Sequence, residues 1–185
     1  FRTTPDAETL GPSSRNTPIR PENGPKVKRK NDLCPPPELL PLSRFCGQTR
    51  AFLKIQDGCD GFCTYCIIPA ARPKVRSNPP DNVLAEAKAL VAAGHKEIVV
   101  NGVHLGAYGQ TTVRRRHWPT PENDHLPALL DRLARIDGLA RIRVSSLDPA
   151  DVTARLLEVF ARHRNIMPHL HLSLQSGSDR VLRRM

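Results

Sequence analysis

Apolar positions along the chain follow two periods in turn. Short runs with β-strand alternation give way repeatedly to stretches with apolar residues three and four apart. Arg50-Ala-Phe-Leu-Lys-Ile-Gln56 predicts a first strand. Pro79-Pro-Asp81 then opens a helix, with Asp81 placed to cap free N–H groups and Val83, Leu84, Ala87, Leu90 and Val91 forming its apolar stripe. Gly94 ends that helix as a left-handed cap would. Lys96-Glu-Ile-Val-Val-Asn101 predicts the second strand, and Gly102-Val-His-Leu-Gly106-Ala-Tyr-Gly109 after it, glycine-rich and without period, reads as a loop. Leu126, Leu129, Leu130 and Leu133 mark a helix within His125 to Ile136, followed by a third strand, Ala140-Arg-Ile-Arg-Val-Ser145. Asp148-Pro149 starts another helix, with Val152, Leu156, Val159 and Phe160 inward. His169-Leu-His-Leu-Ser-Leu174 alternates as a fourth strand, and Ser178-Asp179 caps a last helix.

Strands alternating with helices argue for βαβ units and a parallel sheet. Four such units with right-handed crossovers curve into part of a (β/α) barrel, an α/β fold whose chemistry sits in the loops after the strands' carboxyl ends. Those loops are the segment after Gln56 and the stretches beginning at Gly102, Ser145 and Gln175. The first 48 residues differ in texture: they hold nine of the 18 prolines with many Ser, Thr, Asn and Gly, and read as a linker. The expected division is therefore a Pro-rich linker at 1–48 and an α/β core at 49–185. The chain begins with Phe and stops at Arg183-Arg184-Met185 inside a helical pattern, which makes further domains an expectation.

The loop after the first strand carries Cys59-Asp-Gly-Phe-Cys63-Thr-Tyr-Cys66, three thiols spaced C-x3-C-x2-C. Thiolates are soft donors that favour iron–sulfur clusters or zinc. Three thiols leave one iron of a four-iron cluster without a protein ligand, free to take a small molecule through its amine and carboxylate. Zinc is the alternative, although structural zinc takes four ligands, usually in two separated pairs. A disulfide framework suits five cysteines in a chain with no secretory segment less well. Cys34 and Cys46 lie far from this loop in sequence and read as free thiols.

Charge adds a candidate partner. Lys and Arg number 28 against 18 Asp and Glu, for a net charge of +10, which suits a polyanion whose counterions are released on binding. Lys26, Lys28, Arg29 and Lys30 form one concentration; Arg114, Arg115 and Arg116, beside His117 and Trp118, form another. Either could track phosphates or serve as a solvated face. No run approaches the roughly 18 apolar residues of a membrane helix, so a cytoplasmic location without a membrane partner is expected.

Taken together, Gln56-Asp-Gly-Cys59, Cys63-Thr-Tyr-Cys66-Ile-Ile-Pro69, Asn101-Gly-Val-His-Leu-Gly106, Arg143-Val-Ser-Ser-Leu-Asp-Pro149 and His169-Leu-His-Leu-Ser-Leu-Gln-Ser-Gly-Ser-Asp179 resemble the radical S-adenosylmethionine (SAM) core of the tRNA methylthiotransferases, from about Phe45 to the end. The loop from Gly102 to Gly109 with the Arg143 to Pro149 stretch is most similar to the branch acting on threonylcarbamoyladenosine beside the anticodon. The resemblance implies a 4Fe-4S cluster on Cys59, Cys63 and Cys66 and SAM as co-substrate. It also implies an external electron donor, and a methylthio group added at C2 of adenine through a 5′-deoxyadenosyl radical. Tyr65 would set its backbone against the adenine of SAM, Asn101 and Gly102 would meet the methionine end, and Ser145 and Gln175 would face the ribose and amino acid moieties. No catalytic acid or base is assigned. An N-terminal domain with its own cluster, the sulfur source, and a C-terminal RNA-binding domain belong to the family pattern and are absent from this stretch.

Other residues compete for attention. His169 and His171 alternate along the fourth predicted strand and read as core residues satisfied by neighbours, and with His104 they are poor ligand candidates. Trp118 could stack on a base. Two rival functions stand beside the tRNA enzyme: a methylthiotransferase acting on a ribosomal protein side chain, and a zinc-stabilised RNA-binding module without catalysis.

Overall fold

The structure is a computed structural model that describes residues 48–117 and 125–185. Cys34, Cys46, Trp118, the lysine-rich run from Lys26 to Lys30, and the predicted linker apart from Gln48 lie outside the described residues. Strand β1, Arg50–Asp57, leads into the cysteine loop, which contains one helical turn, α1 (Ile68–Ala71), and returns through a two-residue strand, β2 (Arg76–Ser77). Helix α2 (Pro80–Ala92) precedes β3 (Glu97–Gly102); helix α3 (His125–Ala134) precedes β4 (Arg141–Val144); α4 (Ala154–Arg162) and the short α5 (Asp179–Leu182) follow. Among the described residues the sheet runs β2-β1-β3-β4. β1, β3 and β4 are parallel, and β2 lies antiparallel on the free edge of β1. The sheet is open and mostly parallel, as a partial β/α architecture requires.

One face of the sheet makes the core. Ala51, Leu53 and Ile55 of β1, Ile98 and Val100 of β3, and Ile142 and Val144 of β4 are buried against Val83, Ala87 and Leu90 of α2, the α3 leucines, and Leu156 and Val159 of α4. The opposite face carries Arg50, Phe52 and Lys54 of β1, Glu97 of β3 and Arg143 of β4. Strands covered on both faces read as continuous apolar runs, whereas β1 alternates because only one of its faces meets helices.

Three expectations need correction. Asp81 does not cap α2: Pro79 holds the N-cap position, no side chain caps the helix, and Asp81 instead pairs with Arg132 of α3 at 2.7 Å. Asp148-Pro149 opens a 3-10 turn, Pro149–Asp151, and α4 itself starts later under Thr153, whose hydroxyl accepts the Leu156 N–H at 3.2 Å. The fourth strand is a path rather than a strand. Isolated parallel bridges join Ile142 to Ile166 and Leu147 to Leu172, and Pro168 between them has no N–H to extend a ladder. His169 and His171 are exposed there rather than in the core, with His171 Nδ1 2.6 Å from Ser146 Oγ.

Candidate active site

The loop with the three cysteines hangs from a closed neck. Gln56 pairs with Ser77 and Asp57 with Arg76. Asp57 is buried and receives Lys54 Nζ and Arg72 Nη1, each at 2.9 Å, and Arg76 Nη2 at 3.3 Å. Burial alone would raise the Asp57 pKa, but the hydrogen bonds and charges of Lys54 and Arg72 outweigh it and hold the carboxyl below its ordinary range. Gly58 follows at φ +78 with the Lys74 carbonyl packed where a Cβ would stand, so the turn into the loop demands glycine. The Cys59 N–H then donates to the Arg72 carbonyl at 3.0 Å.

Within the loop Cys59 and Cys66 are half-buried and Cys63 is exposed, all three as free thiols. The Gly61 N–H donates to Cys59 Sγ at 3.3 Å, and the Cys66 N–H to the Cys63 carbonyl at 3.0 Å. Burial pushes the Cys59 pKa up, the Gly61 N–H offsets part of this, and the nearby Cys63, Asp60 and Cys66 raise it further. Mutual repulsion of this kind places the three sulfurs in one another's field. A cation bridging them would reverse it, since a ligating thiol is deprotonated. At least one pair of these sulfurs nevertheless stands farther apart than one zinc ion asks. Tetrahedral Zn–S bonds of about 2.3 Å put sulfurs roughly 3.8 Å from each other. Among the described residues the group with all its ligand atoms within 4.8 Å is His104, Asp148 and Asp151, not the cysteines. The wider spacing and soft donors fit a multi-iron cluster better than zinc.

Of the other predicted site residues, Asn101 and Gly102 end β3, Ser145 follows β4, Tyr65 lies in the cysteine loop, and Gln175 follows the extended path after α4 rather than a strand. Tyr65 and Gln175 meet, the Tyr65 hydroxyl donating to Gln175 Oε1 at 3.0 Å across 110 residues of sequence. Gln175 holds φ +64, a left-handed conformation uncommon outside glycine. Burial, then the charge of Cys63, raises the Tyr65 pKa. Gly102 lies in register with Gln56, and a Cβ at Gly102 would stand 3.0 Å from Gln56 Cβ. Asn101, half-buried, pairs in register with Lys54. Ser145 is half-buried just beyond β4, where its N–H donates to the Val100 carbonyl at 3.0 Å. Asn101 and Ser145 share the rim with the cysteine loop through their places at the ends of β3 and β4.

Connections between these segments come from residues that the motif reading passed over. The buried Gln56 side chain donates to the Asp57 and Gly58 carbonyls at 3.1 and 2.8 Å and accepts the His104 N–H at 2.7 Å, joining β1, the cysteine loop and the loop after β3. Asp60 accepts the Thr112 hydroxyl at 2.6 Å and the Val113 N–H at 2.8 Å, while Arg114 Nε donates to the Asp60 carbonyl at 2.9 Å. Arg115 Nη2 meets the buried Asp151 carboxylate at 2.6 Å, and His104 Nε2 stands 3.7 Å from Asp151 and 3.8 Å from Asp148. Polar residues at the end of the first strand and in the loop that follows, as Gln56 and Asp60 are, were the signal available in the sequence.

Parallel strands that present a three-cysteine loop at the end of the first of them define a class. The radical SAM superfamily model matches residues 53–185, and the chain belongs to that superfamily. Its relatives are more particular. The chain is 44% identical over 149 residues to the threonylcarbamoyladenosine tRNA methylthiotransferase MtaB of Bacillus subtilis (strain 168), covering 80% of this chain and 31% of that protein. It is 41% identical over 145 residues to the protein of the same name from Rickettsia prowazekii (strain Madrid E), covering 78% and 32%. It is 40% identical over 139 residues to the tRNA-2-methylthio-N(6)-dimethylallyladenosine synthase of Geobacillus kaustophilus (strain HTA426), covering 75% and 25%. The chain thus spans about a third or less of the length of the curated relatives it matches.

Proposed function

We propose that this chain is the radical SAM core of a tRNA methylthiotransferase that adds a methylthio group at C2 of threonylcarbamoyladenosine next to the anticodon. The observation that carries the reading is the placement of Cys59, Cys63 and Cys66 in one tethered loop at the carboxyl end of the first parallel strand, and the similarity to enzymes of that name supports the substrate. Cys59, Cys63 and Cys66 hold a 4Fe-4S cluster, which when bound supplies the single electron that splits the SAM sulfonium. Asp57, with Arg72 and Arg76, closes the neck and fixes the three thiols relative to the sheet. Tyr65 and Gln175, joined at 3.0 Å, present backbone and side chain toward the nucleoside of SAM. Asn101 and Gly102 at the end of β3 take the methionine end, and Ser145 the ribose. Such a cluster would draw its electron from an external donor. Residues 49–185 form this core, with 1–48 as the linker to a domain carrying the sulfur-donating cluster, and an RNA-binding domain completes the enzyme in the cytoplasm.

Anaerobic reconstitution with iron and sulfide tests the reading, followed by electron paramagnetic resonance of the reduced protein with and without SAM. A four-iron signal that changes on adding SAM and vanishes in Cys63→Ala is expected. Mass spectrometry of threonylcarbamoyladenosine-bearing tRNA incubated with the enzyme then reports the added methylthio group. A protein that holds one zinc, gives no such signal and is indifferent to SAM would instead be the RNA-binding module.

A further inference from the structure

The segment after β3 turns back over the cysteine loop as a strap. Thr112 and Val113 clasp the Asp60 carboxylate, and Val113 is buried with Ala107 in a small apolar cluster against which Cys59 and Val75 pack. Arg114 then does two things: its Nε bonds the Asp60 carbonyl at 2.9 Å, and its guanidinium lies over the Phe62 ring, 5.1 Å from the centroid. Arg115 is spent inward on Asp151. Arg116 and His117, in the 3-10 turn Arg115–His117, are left facing solvent, bonded at 3.1 Å to each other.

Phe62 is the odd member of the cysteine loop. It sits between Gly61 and Cys63 at φ 54, a strained conformation for a bulky side chain, and 65% of its surface is exposed. A loop that needed only to hold a metal would put glycine or asparagine at such a position. The conformation instead delivers a flat apolar ring to solvent beside the three thiols, backed by a guanidinium. Exposed aromatics interleaved with arginines are how proteins grip unpaired nucleic acid: rings and guanidinium planes stack on bases while cations track the phosphates.

From this arrangement we propose that Phe62 and the ridge Arg114 to His117 form the RNA-contacting lip of the site. Phe62, stiffened by Arg114, stacks on an unpaired base of the anticodon loop, and Arg116 with His117 meets the adjoining phosphodiesters. The lip deepens the tRNA methylthiotransferase reading and rests on it. It also supplies a reason for the Asp60 clasp, which fixes the stacking ring and the basic ridge in one unit with the cysteines.

The test measures binding of two probes by the anaerobically reconstituted full chain: an anticodon stem-loop RNA, and a fully paired duplex made from the same stem. Phe62→Ala weakens stem-loop binding roughly tenfold and leaves the duplex alone, as loss of one base–aromatic stack does. Phe62→Tyr keeps the ring and retains binding. Arg116→Ala weakens both probes and lowers the slope of log affinity against log salt by about 1. Iron content and the paramagnetic signal of each variant are read alongside, so that damage to the cysteine loop is not mistaken for a lost contact. With iron content intact, stem-loop affinity unchanged in both Phe62→Ala and Arg116→Ala overturns the lip, and equal weakening of loop and duplex in Phe62→Ala overturns the stacking role. The tRNA reading survives either result. An unsubstituted, cluster-loaded protein that prefers neither probe over a neutral polymer overturns the lip, and the tRNA reading falls with it only if the mass-spectrometric assay also finds no methylthio group added.

Discussion

A methyl group at Gly102 would lie 3.0 Å from Gln56 Cβ, 3.1 Å from its carbonyl oxygen and 3.2 Å from Oε1. Gln56 cannot yield easily, because its amide is bonded at three points to the backbone of the cysteine loop and of the loop after β3. Gly102→Ala therefore costs about 1–3 kcal/mol of stability through overpacking, read by denaturant unfolding of the cluster-free protein. The same measurement separates two readings of the glycine. If its smallness serves only to leave room for SAM, stability is unchanged and SAM affinity alone falls. The sequence placed Gly102 at the rim through the resemblance, but its contact with Gln56 follows from the register of β1 and β3, which no local pattern encodes. Tyr65 and Gln175 were likewise picked out one at a time. Their meeting depends on the path of the chain after α4, and Tyr65→Phe, which removes only the hydroxyl, tests whether that bond positions the loop. The expected outcome is an unchanged iron content with weaker SAM binding, measured by the SAM-dependent change in the paramagnetic signal.

At the other end of the sheet a single carboxylate organises three strands. Glu97 of β3 is buried and receives Arg50 of β1 at 2.8 Å and Arg141 and Arg143 of β4 at 2.7 and 2.8 Å. Burial would raise its pKa, but hydrogen bonds from Arg141 and Arg143 and the charge of Arg50 hold it below the ordinary carboxylate value. A depressed folded-state pKa means that the Glu97 contribution is fully present above the unfolded value, about 4.3, and is lost as pH falls through the lower folded value. Glu97→Gln should cost about 2–3 kcal/mol near neutral pH, the scale of hydrogen bonds to a charged group, with the gap to wild type closing below about pH 4. Urea titrations of both proteins across pH check this, and a gap independent of pH would assign the loss to packing instead. β1, β3 and β4 and the α2 and α3 helices were legible because their apolar periods are clean, whereas the equally clean alternation from His169 to Leu174 forms only isolated bridges. Arg141 and Arg143 looked only like the polar half of an alternating strand; nothing in a one-dimensional pattern says that both converge on Glu97, 44 and 46 residues earlier. The two-residue β2 was illegible for a related reason, since it is defined by its antiparallel partner β1 and not by any run of its own.

Across the described part of the molecule, burial decreases toward the chemistry. The helix-covered face of the sheet is apolar and closed, the neck at Asp57 is pinned by three cations, and beyond it Phe62, Tyr65 and Ile67 stand exposed at 65, 59 and 73%. Apolar burial contributes little to the tip of this loop, so its free energy of local opening lies at the low end of the range a protein spans. A cluster bound by three thiols would tie residues 59, 63 and 66 to one rigid body and stabilise the closed loop by mass action, since the opened loop binds it poorly. Among the described residues, chymotrypsin, which cuts after aromatic residues, should therefore cleave the cluster-free protein first after Phe62 or Tyr65, while the covered core stays intact. Loading with iron and sulfide should slow that cut at least tenfold without changing cleavage elsewhere, as fragment masses over a time course would show. Equal rates in the two forms would mean that the neck alone fixes the loop. The thiols would then be preorganised by Asp57, Gly58 and the Asp60 clasp before any metal arrives.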